Sequence, residues 1–118
     1  MAVLNKQELH NLAMNIVGKN LEELGFEFLA INSKLKKNPQ FVALKDKKLH
    51  FIIVKAVAYP DDPKINDENL MTKIKDHAIK YNARSYYAGV GLANQQNFED
   101  PVDSDQDYVV NYTGLIEL

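Results

Sequence analysis

The chain has 118 residues, 46% of them apolar, a net charge of −2 and no cysteine. One domain of this length buries roughly two thirds of its unfolded surface, and the missing thiols exclude disulfides, zinc–thiolate centres and iron–sulfur clusters. The overall charge gives no general attraction to nucleic acid, although residues 34–48 set six lysines against Asp46, and the C-terminal third carries much of the acid.

Residues 1–6 lack the charged start and apolar stretch of a signal peptide. Apolar runs such as residues 51–54 are far too short to span a bilayer. The expectation is a soluble, cytoplasmic, single domain over residues 1–118, with no membrane segment and no cofactor.

Residues 5–24 predict an amphipathic helix, because Leu9, Leu12, Ala13, Ile16, Val17, Leu21 and Leu24 form one stripe. Asn5 with Glu8 reads as a capping pair and Gly25 as a stop. Residues 26–31 predict a strand, 32–39 a lysine-rich turn, 40–44 a second strand and 45–48 a tight turn. The third strand covers 49–58. Its centre, Phe51-Ile52-Ile53-Val54, does not alternate, so both faces should be covered. After a loop with Pro60 and Pro63, residues 67–81 predict a second helix. There Leu70, Met71, Ile74, Ala78 and Tyr81 face inward, and Asn66 or Asp67 caps the start. Strands at 85–93 and 108–112 follow, separated by a polar loop over 94–106. The result is a three-layer α/β fold of order αβββαββ with a central mixed sheet.

Hairpin counting brings three residues together. With the turn on Asp46-Lys47, Lys45 faces Lys48, and Gln40 then lies opposite Ile53. Side chains alternate along a strand, so Ile53 and Lys55 share a face. Gln40, Ile53 and Lys55 should therefore cluster on one side of the sheet.

On these residues the chain resembles the PD-(D/E)XK, or restriction-endonuclease-like, superfamily, and most of all its YraN-like branch. Phe51-Ile52-Ile53-Val54-Lys55 is similar to the family strand Phe-Val-Glu-Val-Lys, and Leu24-Gly25-Phe26 and Ile31-Asn32 look like its lead-in. The resemblance covers roughly residues 9–93. It implies a restriction-endonuclease-like fold and a motif of Asp, Glu and Lys. Lys55 matches the lysine, whereas Ile53 stands at the glutamate position and Gln40 at the aspartate position. The family's chemistry holds Mg²⁺ with carboxylates, because a hard cation prefers charged oxygen ligands, and the lysine then assists the attacking water. Isoleucine offers no oxygen and glutamine only a neutral carbonyl, so the expectation is a degenerate site without a metal. Glu22, Glu23, Asp61 and Asp62 are the acids that relocation would have to recruit.

The expected role is a non-catalytic nuclease-fold domain that binds protein. The alternative is a nucleic-acid binder or metal-dependent nuclease that uses Lys55 with relocated carboxylates. Lys34, Lys36, Lys37 and Lys55 are the binding candidates; Lys45, Lys47 and Lys48 lie a strand's length away, ~17 Å. A bland reading of Lys55 stands beside these: a lysine solvating the exposed end of a buried strand.

Other signals are weaker. Asp103-x-Asp105-x-Asp107 lacks the glycine and the final glutamate of a calcium loop, so it reads as a solvated acidic loop. Gly89-x-Gly91 lacks the third glycine of a dinucleotide loop, and reads as a strand that another backbone approaches. His10, His50 and His77 lie on separate elements and make no metal-ligand spacing. The chain is also similar to small bacteroidete proteins that bear the name of the flavin-carrying component of a sodium-pumping NADH:quinone reductase. The FAD site, cysteine-ligated cluster and membrane anchor that this name implies have no counterpart among these residues.

Overall fold

The computed structural model describes residues 3–34 and 39–118. Its elements run α1 (Lys6–Glu23), β1 (Glu27–Ile31), β2 (Phe41–Lys45), β3 (Lys48–Ala58), α2 (Glu68–Lys80), β4 (Arg84–Asn94), β5 (Tyr108–Asn111) and β6 (Ile116–Glu117). The strands form one mixed sheet of order β1-β2-β3-β4-β5, with β6 also paired to β4. β3 and β4 are parallel, joined by the α2 crossover, and every other pair is antiparallel. This is the expected αβββαββ order, with the two-residue strand β6 added after the last predicted strand.

Local chemistry sets the boundaries. The Asn5 side chain accepts the Glu8 N–H and the Glu8 carboxylate accepts the Asn5 N–H, a full capping box for α1. Gly25, at φ 89°, supplies the left-handed residue that ends the helix. Asp67 caps α2 by accepting the N–H groups of Asn69 and Leu70. Asp46 and Lys47 have φ of 53° and 64°, as a two-residue hairpin turn with the strands' twist requires. That turn pairs Lys45 with Lys48 and Phe41 with Ile52, the register that hairpin counting gives. Two helix residues depart from expectation. Leu24 is the C-cap of α1 rather than part of its buried stripe, and it stays 45% exposed. Tyr81 is the C-cap of α2 rather than part of its inner stripe, and it stays 59% exposed.

Two helices cover opposite faces of the sheet. Ala13, Met14, Val17 and Leu21 of α1 pack on Phe41, Ala43, Ile52, Val54, Ala88, Val90 and Leu92. Met71 and Ile74 of α2 pack on Ile53 and Tyr87. The four residues Phe51–Val54 are all buried, so the unbroken apolar run does mark a strand covered on both sides. Gly89 has the role expected of it. A Cβ there would collide with the carbonyl oxygen of Pro63, so the loop after β3 crosses directly over β4. The buried Tyr87 hydroxyl pins that loop by donating to the Pro63 carbonyl at 2.6 Å. Burial first, and the nearby charge of Asp62 second, push the Tyr87 hydroxyl up to about 12.

The acidic segment is not simply solvated. Asp103 is buried, and its carboxylate accepts the Asp105 N–H at 2.8 Å. The buried Asn94 amide donates to Pro101 and Gln106 and accepts from Gln96 N–H, tying the same loop together.

Candidate functional site

β3 is longer than the strand beside it. Its pairing with β2 stops at Phe41↔Ile52, and one further backbone bond follows, from Gln40 N–H to the Ile52 carbonyl at 3.1 Å. β3 continues to Ala58, and its edge beyond Ile53 pairs with no strand among the described residues on that side. A groove of about 520 Å³ opens there, floored by the second half of β3. The first turns of α1 form one wall through Lys6, Leu9 and His10, and the start of α2 forms the other through Asp67, Leu70 and Met71.

The structure brings Gln40, Ile53 and Lys55 together in this groove. None of the three presents a free metal ligand. The Gln40 side chain is 2% exposed, and its carbonyl oxygen accepts the Val54 N–H at 2.8 Å. It replaces the backbone partner that a longer β2 would have supplied, so it lies along the sheet edge rather than on the face shared by Ile53 and Lys55. Ile53 is buried under Met71 and Ile74 of α2. Lys55 is exposed, and its ammonium donates to the Ile65 carbonyl at 3.2 Å, holding the crossover loop against β3.

The remaining candidates divide. Lys34 is exposed and does not line the groove; Lys36 and Lys37 lie outside the described residues. Glu22 borders a separate depression beside Phe28 and Phe41, and Glu23 closes the last turn of α1. From the His10 end of the helix that is roughly 20 Å, at about 1.5 Å per residue. Asp62 accepts the Lys64 N–H, and of the four acids named for relocation only Asp61 lines the groove. The other groove carboxylate, Asp67, holds the α2 N-terminus. The donors on hand therefore do not fit the carboxylate cage that a hard divalent cation requires. Among the described residues no group of three or more His, Asp or Glu side chains is placed to hold a metal ion.

Two groove residues had no signal in the sequence. Lys6 and His10 reach the site because α1 overhangs the end of β3, and no local pattern links segments so far apart. His10 is 2% exposed, and its Nε2 has no hydrogen-bond partner among the described residues. Burial lowers its pKa below the ordinary histidine value. The imidazole therefore stays neutral near pH 7, with one polar atom unmatched beside the groove.

The groove's charges cancel. Lys6 and Lys55 stand against Asp61 and Asp67, with His10 neutral. Residues 7–118 match the family described as Domain of unknown function (DUF8840). The chain belongs to that family. No curated protein and no solved structure matches it. Within this DUF8840 chain, no described helix is long and apolar enough to cross a membrane.

Proposed function

We propose that this chain is a non-catalytic relative of the PD-(D/E)XK nucleases that works by binding protein in the groove at the end of β3. The observation that carries the reading is the use of the two acid positions. Gln40 is committed to the Val54 N–H, and Ile53 is committed to the α2 interface. Neither is available for phosphodiester chemistry. The balanced groove charge supports a protein partner over a polyanion, because nucleic-acid affinity rests on unmatched lysines and arginines. The mostly apolar walls, with a few fixed polar groups, suit a peptide surface.

The experiment has two arms. A Mg²⁺ or Mn²⁺ cleavage assay and a gel shift at low salt test the nucleic-acid alternative. Neither activity is expected, and cleavage lost on Lys55→Ala would overturn the non-catalytic reading. Selection from a displayed library of linear peptides tests the protein reading. Binders are expected that keep their affinity for Lys75→Ala, on the exposed side of α2, and lose it for Ala58→Arg, which lays a long cation across the groove. A library that yields no groove-dependent binder would sink protein binding.

A further inference from the structure

The exposed half of β3 is more specific than an apolar groove. In a strand, the N–H and C=O of one residue point to the same side, and the side alternates along the chain. Ile52 C=O and Val54 N–H both bond to Gln40, so the even-numbered residues of β3 face the β2 side. Tyr59 N–H bonds to Leu92 C=O, which fixes the odd-numbered residues toward β4. The Val54 carbonyl, both backbone groups of Ala56 and the Ala58 N–H are thereby aimed into the groove. None of them has a hydrogen-bond partner among the described residues, and Ala56 and Ala58 are both partly exposed. The slot lies between α1 on one face and α2 on the other, which is the position a continued β2 would occupy.

We propose that an extended peptide segment of a partner protein occupies this slot as an added strand, hydrogen-bonded to Val54, Ala56 and Ala58. The proposal rests on the reading of the groove as a protein-binding site and deepens it. Five residues of edge, from Val54 to Ala58, span roughly 17 Å. Alanines at 56 and 58 keep side-chain bulk off the floor, so a backbone can approach. Leu9, Leu70 and Met71 offer apolar contacts to alternate side chains of the guest. Lys6 and Lys55 cancel Asp61 and Asp67, so the fitting segment carries no net charge. The unmatched Nε2 of His10 supplies one polar point, which a guest hydroxyl or amide can meet. Main-chain bonds give such a complex its affinity and alternate side chains give it selectivity.

The probe is the tightest linear peptide selected from the displayed library. Bound to the wild-type chain, it should slow amide hydrogen exchange at Ala56 and Ala58 at least tenfold. N-methylation at alternate peptide positions should weaken binding roughly tenfold each, and methylation at the intervening positions should not. Ala56→Pro should abolish binding; because proline also stresses β3, the methylated peptides on unaltered protein carry the decision. A peptide that binds in the groove without protecting Ala56, or without the alternating methylation pattern, overturns strand addition while leaving protein binding intact. A library with no groove-dependent binder removes both. A free chain that sediments as a dimer with Ala56 already protected identifies the occupant as a second copy, and overturns the proposal of a foreign segment.

Discussion

The side-chain carbonyl of Gln40 takes the Val54 N–H at 2.8 Å in a site that is 2% exposed. Removing it leaves a buried donor unmatched, which costs about 1–3 kcal/mol. Gln40→Ala should therefore lower the urea unfolding free energy by that amount, whereas Lys55→Ala, which loses one exposed bond to Ile65, should cost less than about 1 kcal/mol. Equal costs, or a Gln40→Ala variant as stable as wild type, would show that Gln40 does not close the strand edge. The position of Gln40 was legible in the sequence. The two-residue turn at Asp46-Lys47 sets the register, and register places Gln40 next to the pair Phe41↔Ile52. Its orientation was not legible. A glutamine at a strand end can point to a face or lie along the edge, and only the early stop of β2 selects the edge.

Hydrophobic periodicity located the elements because each stripe faces one large layer. It failed where an element ended. The apolar spacing of α2 continues through Tyr81, but the helix stops at Lys80, and Tyr81 swings out to meet the His77 ring edge-on at 5.0 Å. β6 escaped because two residues carry no period. The glycines of β4 were readable as a close approach but not as to whose backbone approaches. That partner is the loop after β3, and it makes a graded prediction. A Cβ at Gly89 would collide with the Pro63 carbonyl, which is backbone held by the Tyr87 hydroxyl. A Cβ at Gly91 would meet the Pro63 ring at 3.1 Å and the Asn111 side chain at 3.3 Å, tighter than ordinary contact but short of a collision. Gly89→Ala should cost about 1–3 kcal/mol, as overpacking does, and Gly91→Ala clearly less. Thermal or urea unfolding of the two variants decides it, and the reverse order would mean that the loop is not fixed over β4. Since this loop also forms part of the groove through Asp61 and Asn66, Gly89→Ala should weaken groove ligands as well.

At the scale of the molecule, two buried histidines tie stability to acidity. His10 sits between α1 and the groove, and His50 sits on the α1 side of the sheet with Phe26 at 5.0 Å and Tyr86 at 5.6 Å. Burial lowers the pKa of both; for His50 the bond to the Lys45 carbonyl opposes the shift, and the charges of Arg84, Lys45 and Lys48 reinforce it. Lys6 shares the groove wall of His10, and Lys55, Asp61 and Asp67 line the rest of the same groove, so the opposite charges around His10 balance. The sign follows from proton counts. Below the unfolded value of about 6.5, the unfolded chain binds protons that the folded chain refuses. Stability is therefore full above pH 6.5 and falls as the pH drops from there toward the folded pKa values, by up to about 1.4 kcal/mol per pH unit for each histidine. Urea midpoints measured from pH 8 to pH 5 should be level at first and then decline. A His10→Leu, His50→Phe double variant, which fills both sites with apolar side chains and removes both imidazoles, should flatten that decline whatever its stability at pH 8. Wild type and double variant declining in parallel would show that these two residues do not set the acid limit.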